Sequence, residues 1–498
     1  MLKRTPELKI DILIQCFLIF LFPVSITAFS EKDALIMALS RNTDILLIRS
    51  QAQIDSLSLK AIESGWLPQV TLSASPSYSF FDTSRTKIPV IDTVGGRNDT
   101  TGFIYQGKDD TRSELSGSAG ISQPLPGGGD ISAGISQSIT YPGGSDPGTY
   151  GSSYSFGFTQ PLLKNAFRFG SPEYSIKLAH IDNRIVSLQR RKQLLSQLSS
   201  MRTLFWSYFE KQSLLTIAEN EAIRAEEQLK TERTRIRVGE SAPIDTLNAA
   251  LQYMRTRQSL LNAQIDLDAS RNDLSVALMI NPDSIGTPDS ATIDLPDLPD
   301  PSTFASLVGE YDPQLKIFEK LGQKVYLQLE KNRNALMPAL DFSLSTAGSR
   351  SGDALFTDKQ LGRNAVVSLI LSYALPLNQQ KINVKKTQLD MERNDINALQ
   401  YRKNLDKQLR ELRRTWEQEK YRISLAGASV ELSEKQLSAA QRGYELGTVD
   451  RLTLLSARDD LTSAQNSLVR AKIGMKRLEI IIDELMGTLF QRFGINAE

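Results

Sequence analysis

One cysteine and one histidine in 498 residues leave little for catalysis. A zinc or thiolate centre needs several such ligands, and Cys16 and His180 cannot supply them. Neither sign of charge is in excess: 58 Lys and Arg face 57 Asp and Glu. A basic surface for nucleic acid and an acidic one for cationic partners are therefore not expected. No stretch of 18 apolar residues exists, so no helix is expected to cross a bilayer. Gly127-Gly128-Gly129 follows a strand pattern, but another alternating strand comes next, so it reads as a hairpin turn and not a phosphate loop. No nucleophile–base pair stands out. The expectation is a non-enzyme with no cofactor, no metal and no catalytic residue.

Residues 1–28 carry the marks of a secretory signal peptide. Lys3, Arg4 and Lys9 precede an apolar run over 12–22, and small Ala28 stands at a plausible cleavage point. The run is too short to span a core of about 30 Å. Cys16 lies inside it, so the mature chain is expected to have no cysteine.

What the chain does have is a repeat. Asn42-Thr43-Asp44-Ile45 matches Asp312-Pro313-Gln314-Leu315, and Leu67-Pro68 matches Met337-Pro338, both offset by 270. Thr159-Gln160-Pro161-Leu162 matches Ala374-Leu375-Pro376-Leu377 at 215, and Val238-Gly239 matches Leu446-Gly447 at 208. A period this long indicates duplication of a whole supersecondary unit.

Each copy mixes two patterns. One alternates apolar residues with Ser, Thr and Gly, as in Val70, Leu72, Ala74, Pro76, Tyr78 and Phe80 against Thr71, Ser73, Ser75, Ser77 and Ser79. Segments 113–123, 131–141, 153–159, 340–348 and 366–375 behave alike. Period two means two-faced strands. A soluble sandwich gives the same alternation. Segment lengths near ten, aromatics on the apolar side, and short turns opposite the long charged loop 82–112 and the Gly/Pro-rich 141–151 favour a membrane barrel.

The other pattern is helical. Residues 171–237 and 378–446 have no proline after Pro172, which gives helices of about 100 Å. Return helices near 243–280 and 450–487 carry a 3-4 seam: Leu454, Ala457, Leu461, Ala464, Leu468, Ala471, Met475, Leu478, Ile482 and Leu485. Shifting by 208 gives Thr246, Ala249, Tyr253, Thr256, Leu260, Ala263, Leu267, Ser270, Leu274 and Ala277. Period 3.5 over five heptads predicts coiled-coil packing. Helices of about 35 residues at 30–64 and 302–336 would cover the rest of each long helix. Between the copies, eight acidic residues and no basic one lie from Asn272 to Leu315, which reads as a solvated connector.

Gly65-Trp66-Leu67-Pro68-Gln69, Gln160-Pro161-Leu162-Leu163, Val238-Gly239 followed by Asp245-Thr246-Leu247-Asn248-Ala249, and Leu446-Gly447-Thr448 followed by Thr453-Leu454-Leu455-Ser456-Ala457 carry a resemblance. In this duplicated order, the mature chain resembles the TolC-type outer-membrane efflux family. The resemblance implies an α+β membrane protein: internally duplicated long α-helical coiled-coil hairpins plus transmembrane β-strands that form a shared trimeric β-barrel. It implies a homotrimer set in outer-membrane lipid, with a helical tunnel in the periplasm. It further implies a passive duct served by a periplasmic adaptor (a membrane fusion protein) and, indirectly, by an inner-membrane pump of RND, ABC or MFS type. Adaptor docking would fall on Val238, Gly239, Glu240, Ser241 and Ala242, with Leu446, Gly447, Thr448 and Val449. Asp245, Tyr444 and Arg451 would be the gate. Thr453 and Ser456 stand where the family carries acids. A structural periplasmic coiled coil or adhesin-like envelope protein is the competing reading.

The expected divisions are a signal peptide (1–28), a first-repeat short helix (29–69), first-repeat strands (70–160) and a first long helical hairpin with its tip near 239–243 (161–280). A connector follows (281–301), then a second short helix (302–339), a second β-hairpin (340–375), a second helical hairpin with its tip near 447–450 (376–487) and a tail (488–498). From Pro68 to Pro161 is 93 residues, against 38 from Pro338 to Pro376. The excess holds a second Gln-Pro-Leu at 123–125, so an extra hairpin at 113–140 is expected. That makes six strands per chain where the family has four, and an 18-stranded barrel from three chains; the alternative is that the extra hairpin projects outside the membrane.

Overall fold

A computed structural model describes residues 29–81, 86–94, 97–106, 110–142, 148–239, 242–288, 306, 308–352 and 360–494. The expected signal peptide lies outside them, as do Glu240, Ser241 and most of the connector. Two compact units form: one from residues up to Ile54 with Val186–Phe318 and the chain from Asn397 on, the other from Asp55–Ile185 and Glu319–Ile396.

The second unit holds an antiparallel six-stranded sheet in the order β1-β4-β5-β6-β7-β8. Its strands are β1 (Gln69–Phe81), β4 (Asp110–Pro124), β5 (Asp130–Pro142), β6 (Thr149–Pro161), β7 (Ala339–Gly352) and β8 (Gln360–Ser372). Both repeats thus contribute to one sheet, joined at β6·β7, and the extra hairpin β4–β5 is part of it. Residues 82–112, read as a long charged loop, instead hold a separate hairpin of β2 (Thr86–Val94) and β3 (Arg97–Gln106). Its strands carry Ile88, Val90, Ile91, Phe103 and Ile104 among the charges, enough β-branched and aromatic residues to pair.

Register explains the alternating sequence. Ser73, Ser118, Ser136, Ser153 and Ser349 stand opposite one another in a row across five strands. Ser73 with Ser118 and Ser136 with Ser153 hydrogen-bond at 2.7 and 2.6 Å. One face is thus a serine ladder, and the reverse face carries Leu72, Ile135, Phe156, Val367 and Leu369, all exposed.

The turn from β4 to β5 uses Gly127 and Gly128 at φ +91° and +84°, where L-residues are strained. A Cβ on Gly128 would lie 2.6 Å from the Gly170 Cα. The two Gln-Pro-Leu motifs have matching roles. Gln123 and Gln160 each turn their side-chain amide onto the following proline carbonyl, at 3.1 and 3.0 Å. Each also reaches a neighbouring segment, Gln160 donating to the Gly127 carbonyl at 2.9 Å.

The first unit is helical. The first short helix, expected as one piece, is two: α1 (Glu31–Arg41) and α2 (Thr43–Glu63). Asn42 breaks it. Its Oδ1 accepts the Ile45 N–H at 3.1 Å, and its Nδ2 donates to the Ala277 carbonyl at 2.7 Å. Asn42 therefore caps α2 while tying it to another helix. Asp312, its counterpart, accepts the Gln314 N–H at 2.6 Å and the Tyr401 hydroxyl at 2.8 Å, and so starts α5 (Pro313–Asn334). The first repeat landmark is thus a pair of helix caps.

The long helices α3 (Glu173–Arg237) and α6 (Asn378–Glu445) are followed by α4 (Pro243–Leu278) and α7 (Arg451–Met486). The expected seam is buried at Leu454, Ala457, Leu461, Ala464, Ala471, Met475 and Ile482. Past Ala471 a second face of α7 is also buried, through Ile473, Lys476, Glu479, Ile480 and Asp483. Its charges meet Arg202, which is 1% exposed. Arg202 bonds to Glu31 and to Asp483, the latter at 2.6 Å. Lys476 pairs with Glu479 at 2.8 Å, and Arg492 pairs with Asp483 at 3.0 Å and with Glu479. Three cations balance three anions.

Two further segments add to the core. The tail contains α8 (Leu489–Phe493), whose Leu489 and Phe490 join the main core. At the described start of the connector Asn281, Asp283, Ser284 and Thr287 are exposed, while Ile285 is buried and Phe29 donates its N–H to the Thr287 carbonyl at 3.1 Å. In both places apolar side chains override a polar local composition.

Candidate functional site: the helical tips

Each tip forms where a long helix ends on glycine. Gly447 has φ +74°, the left-handed geometry that closes a helix. The Gly447 N–H reaches the Tyr444 carbonyl at 3.2 Å and the Thr448 N–H reaches the Gly443 carbonyl at 2.8 Å, a Schellman pair. Gly239, at φ +81°, donates to the Ile236 carbonyl at 3.2 Å. Gly443 is a second requirement that sequence reading missed, because a Cβ there would lie 2.4 Å from the Val449 side chain.

The return helices are capped differently. Asp450 accepts the Thr453 N–H at 3.1 Å. At the first tip the N-cap is Ala242. Alanine offers no acceptor, and Asp245 instead accepts the Ala242 N–H at 3.3 Å.

The three residues read as a gate make two separate links. Arg451 donates to the Asp245 carbonyl, and its guanidinium lies 3.6 Å from the Asp245 carboxylate, joining α7 to α4. The Tyr444 hydroxyl donates to Glu232 at 2.7 Å, joining α6 to α3. Arg235 stacks over the Tyr444 ring at 5.0 Å. Burial, then the Glu232 bond, raises the Tyr444 pKa, while the positive charges of Arg235 and Arg451 oppose that rise. Glu232 is fully buried. It went unnoticed because an acid near a helix end looks solvated until a partner helix covers it.

The links continue along α3 and α7. Arg458 donates to Gln228 at 3.3 Å, Thr462 to Glu221 at 3.1 Å and Arg477 to Glu210 at 2.7 Å. Burial lowers the Arg458 pKa. Around the polar cluster the tips are apolar and exposed: Val238, Ile244, Leu247, Leu446 and Leu452 all face solvent. The arrangement clamps two helical hairpins together and presents an apolar fringe. Among the described residues no cluster of His, Cys, Asp and Glu is arranged to hold a metal.

Comparison with known proteins agrees with this geometry. Residues 320–488 match the family model of the outer membrane efflux proteins. The match lies within the second repeat. The whole chain has the fold of the TolC-type channels. CusC, described as undergoing conformational changes on folding and transmembrane channel formation, superposes with a TM-score of 0.66 at 15% identity, over 92% of this chain and 91% of CusC. The outer membrane protein VceC of Vibrio cholerae gives 0.63 at 12%, over 92% and 96%. The open-state MtrE outer membrane channel of Neisseria gonorrhoeae gives 0.64 at 14%, over 92% and 88%. No curated protein sequence matches the chain. The family and these neighbours are outer-membrane channels, not enzymes.

Proposed function

We propose that this chain is an outer membrane efflux protein, a passive homotrimeric duct with its sheet spanning the outer membrane and its helices lying in the periplasm. The observation that carries the reading is the sheet. One face is apolar, the other is a serine ladder, and β1 and β8 are left as open edges. Lipid forbids unsatisfied strand edges, so closure requires β8 of one copy to meet β1 of the next. Three copies give 18 strands, wide enough for an aqueous lumen lined by serine.

The helical unit is incomplete in the same sense. Ile244, Leu247, Leu251, Met254, Leu261 and Ile265 form an exposed apolar stripe on α4 at coiled-coil spacing. A neighbouring copy supplies its partner. Val238, Gly239 and Ala242 with Leu446, Gly447, Thr448 and Val449 receive a periplasmic adaptor through their apolar fringe, and the same role is proposed for Glu240 and Ser241, which lie outside the described residues. The Arg451–Asp245 and Tyr444–Glu232 links keep the mouth narrow until an adaptor and its inner-membrane pump are engaged. Sizing the purified protein and recording conductance in planar bilayers tests the reading. A trimer with discrete conductance steps is expected; a soluble monomer without channel activity overturns it.

A further inference from the structure

Among the described residues the apolar face of the sheet carries two charges, and both are positive. Strand parity and register place Val70 to Phe80 (even numbers), Leu115 to Tyr141 (odd numbers), Tyr150 to Phe158 (even), Leu340 to Gly352 (even) and Arg363 to Leu371 (odd) on that face. Among the described residues at those positions only Arg350 and Arg363 are ionisable as acid or base near neutral pH. They are neighbours. Arg350 stands opposite Leu361 and Gly348 opposite Arg363, so the two arginines are diagonal partners about 7–8 Å apart at the backbone. Both lie at the end of β7 and β8 farthest from the helices that flank them in sequence. In the duct that end faces the outer leaflet, where a charge at the lipid boundary is tolerated.

Beside them is a groove of about 640 Å³. Its floor is cut by residues with little or no side chain, Gly117, Ala119 and Gly348, and Ile135 and Tyr154 flank it. The Tyr154 ring lies over Gly348, because a Cβ on that glycine would sit 2.4 Å from the ring. At the Arg350 end Ser152 donates to Gln137 at 2.6 Å, and the Gln137 side-chain nitrogen is buried without a hydrogen-bond partner. An apolar trough with Arg350 and an amide donor at one end, and Arg363 diagonal to Arg350 on the next strand, has the form of an amphiphile seat. Arginine pairs match phosphate oxygens in geometry and charge.

We propose that Arg350 and Arg363 bind the phosphate of an acylated, phosphorylated outer-leaflet glycolipid, with an acyl chain lying along the groove beside Tyr154. This rests on the reading of the sheet as a membrane barrel. The test uses the full-length protein in neutral detergent, titrated with lipid A, dephosphorylated lipid A and inorganic phosphate, with retained lipid counted by native mass spectrometry. Wild type is expected to bind lipid A roughly tenfold more tightly than its dephosphorylated form. Arg350→Gln/Arg363→Gln loses that preference, Arg350→Lys/Arg363→Lys keeps most of it, and Arg112→Gln, on the serine face, keeps all of it.

Equal affinity of wild type for the two lipids overturns the proposal. So does an unchanged preference in the glutamine variant, or inorganic phosphate binding as tightly as lipid A. If the glutamine variant does not assemble, the wild-type and lysine comparisons decide alone. Conductance of the same preparation separates the two readings. A conducting trimer that ignores the phosphate refutes only the lipid seat, whereas a non-conducting monomer refutes the duct.

Discussion

Single residues set the helical unit by satisfying buried charge and helix ends. Arg202 is enclosed by Glu31, Glu479 and Asp483. Arg202→Met would leave three carboxylates facing two cations and cost about 3–5 kcal/mol; denaturant unfolding followed by helical circular dichroism measures it. Asp450 illustrates a pH effect. Its hydrogen bonds from Thr453 hold its pKa below the ordinary 3.8. A lowered folded-state pKa stabilises the folded state above the ordinary value and loses that contribution as pH falls below it. Amide exchange at Thr453 should therefore accelerate below pH 3.8, and Asp450→Asn should remove most of that dependence. The cap pair Asn42 and Asp312 was visible in the sequence as a repeat landmark. Its physical role was not, because the Ala277 and Tyr401 partners lie far along the chain.

At the scale of elements, the long helices and the α7 seam were legible because period and proline placement are local properties. The second buried face of α7 was not, since Lys476, Glu479 and Asp483 read as solvent-facing until Arg202 is placed against them. The β2–β3 hairpin was hidden by its charges. Two predictions belong here. Leu247→Glu with Leu261→Glu puts charge on the exposed α4 stripe and should yield monomers with unchanged helix content, seen by sedimentation and circular dichroism. Tyr444→Phe with Arg451→Ala removes both links between the tip hairpins. It should raise single-channel conductance several-fold in planar bilayers; unchanged conductance would show that the links do not gate.

The whole molecule is governed by strand number. Because barrel diameter grows roughly linearly with strand count, going from 18 to 12 strands should cut the lumen cross-section to about half or less. Removing 110–147 deletes β4 and β5 and leaves β1 antiparallel to β6, so the shortened chain can still form a continuous sheet. A trimer of that variant is expected to conduct at about half the wild-type level or below. Wild-type conductance in the shortened chain would mean the extra hairpin does not enlarge the pore.

The sequence by itself determined the elements, the duplication, the two-faced strands and the glycine tips. These follow from periodicity, proline and glycine, which act within a few residues of chain. Only the tertiary structure decided which charges are buried, that Tyr444 meets Glu232 while Arg451 meets Asp245, and that Arg350 and Arg363 stand side by side on an apolar face. Those outcomes depend on register and on contacts across tens to hundreds of residues, where composition carries no address for the partner.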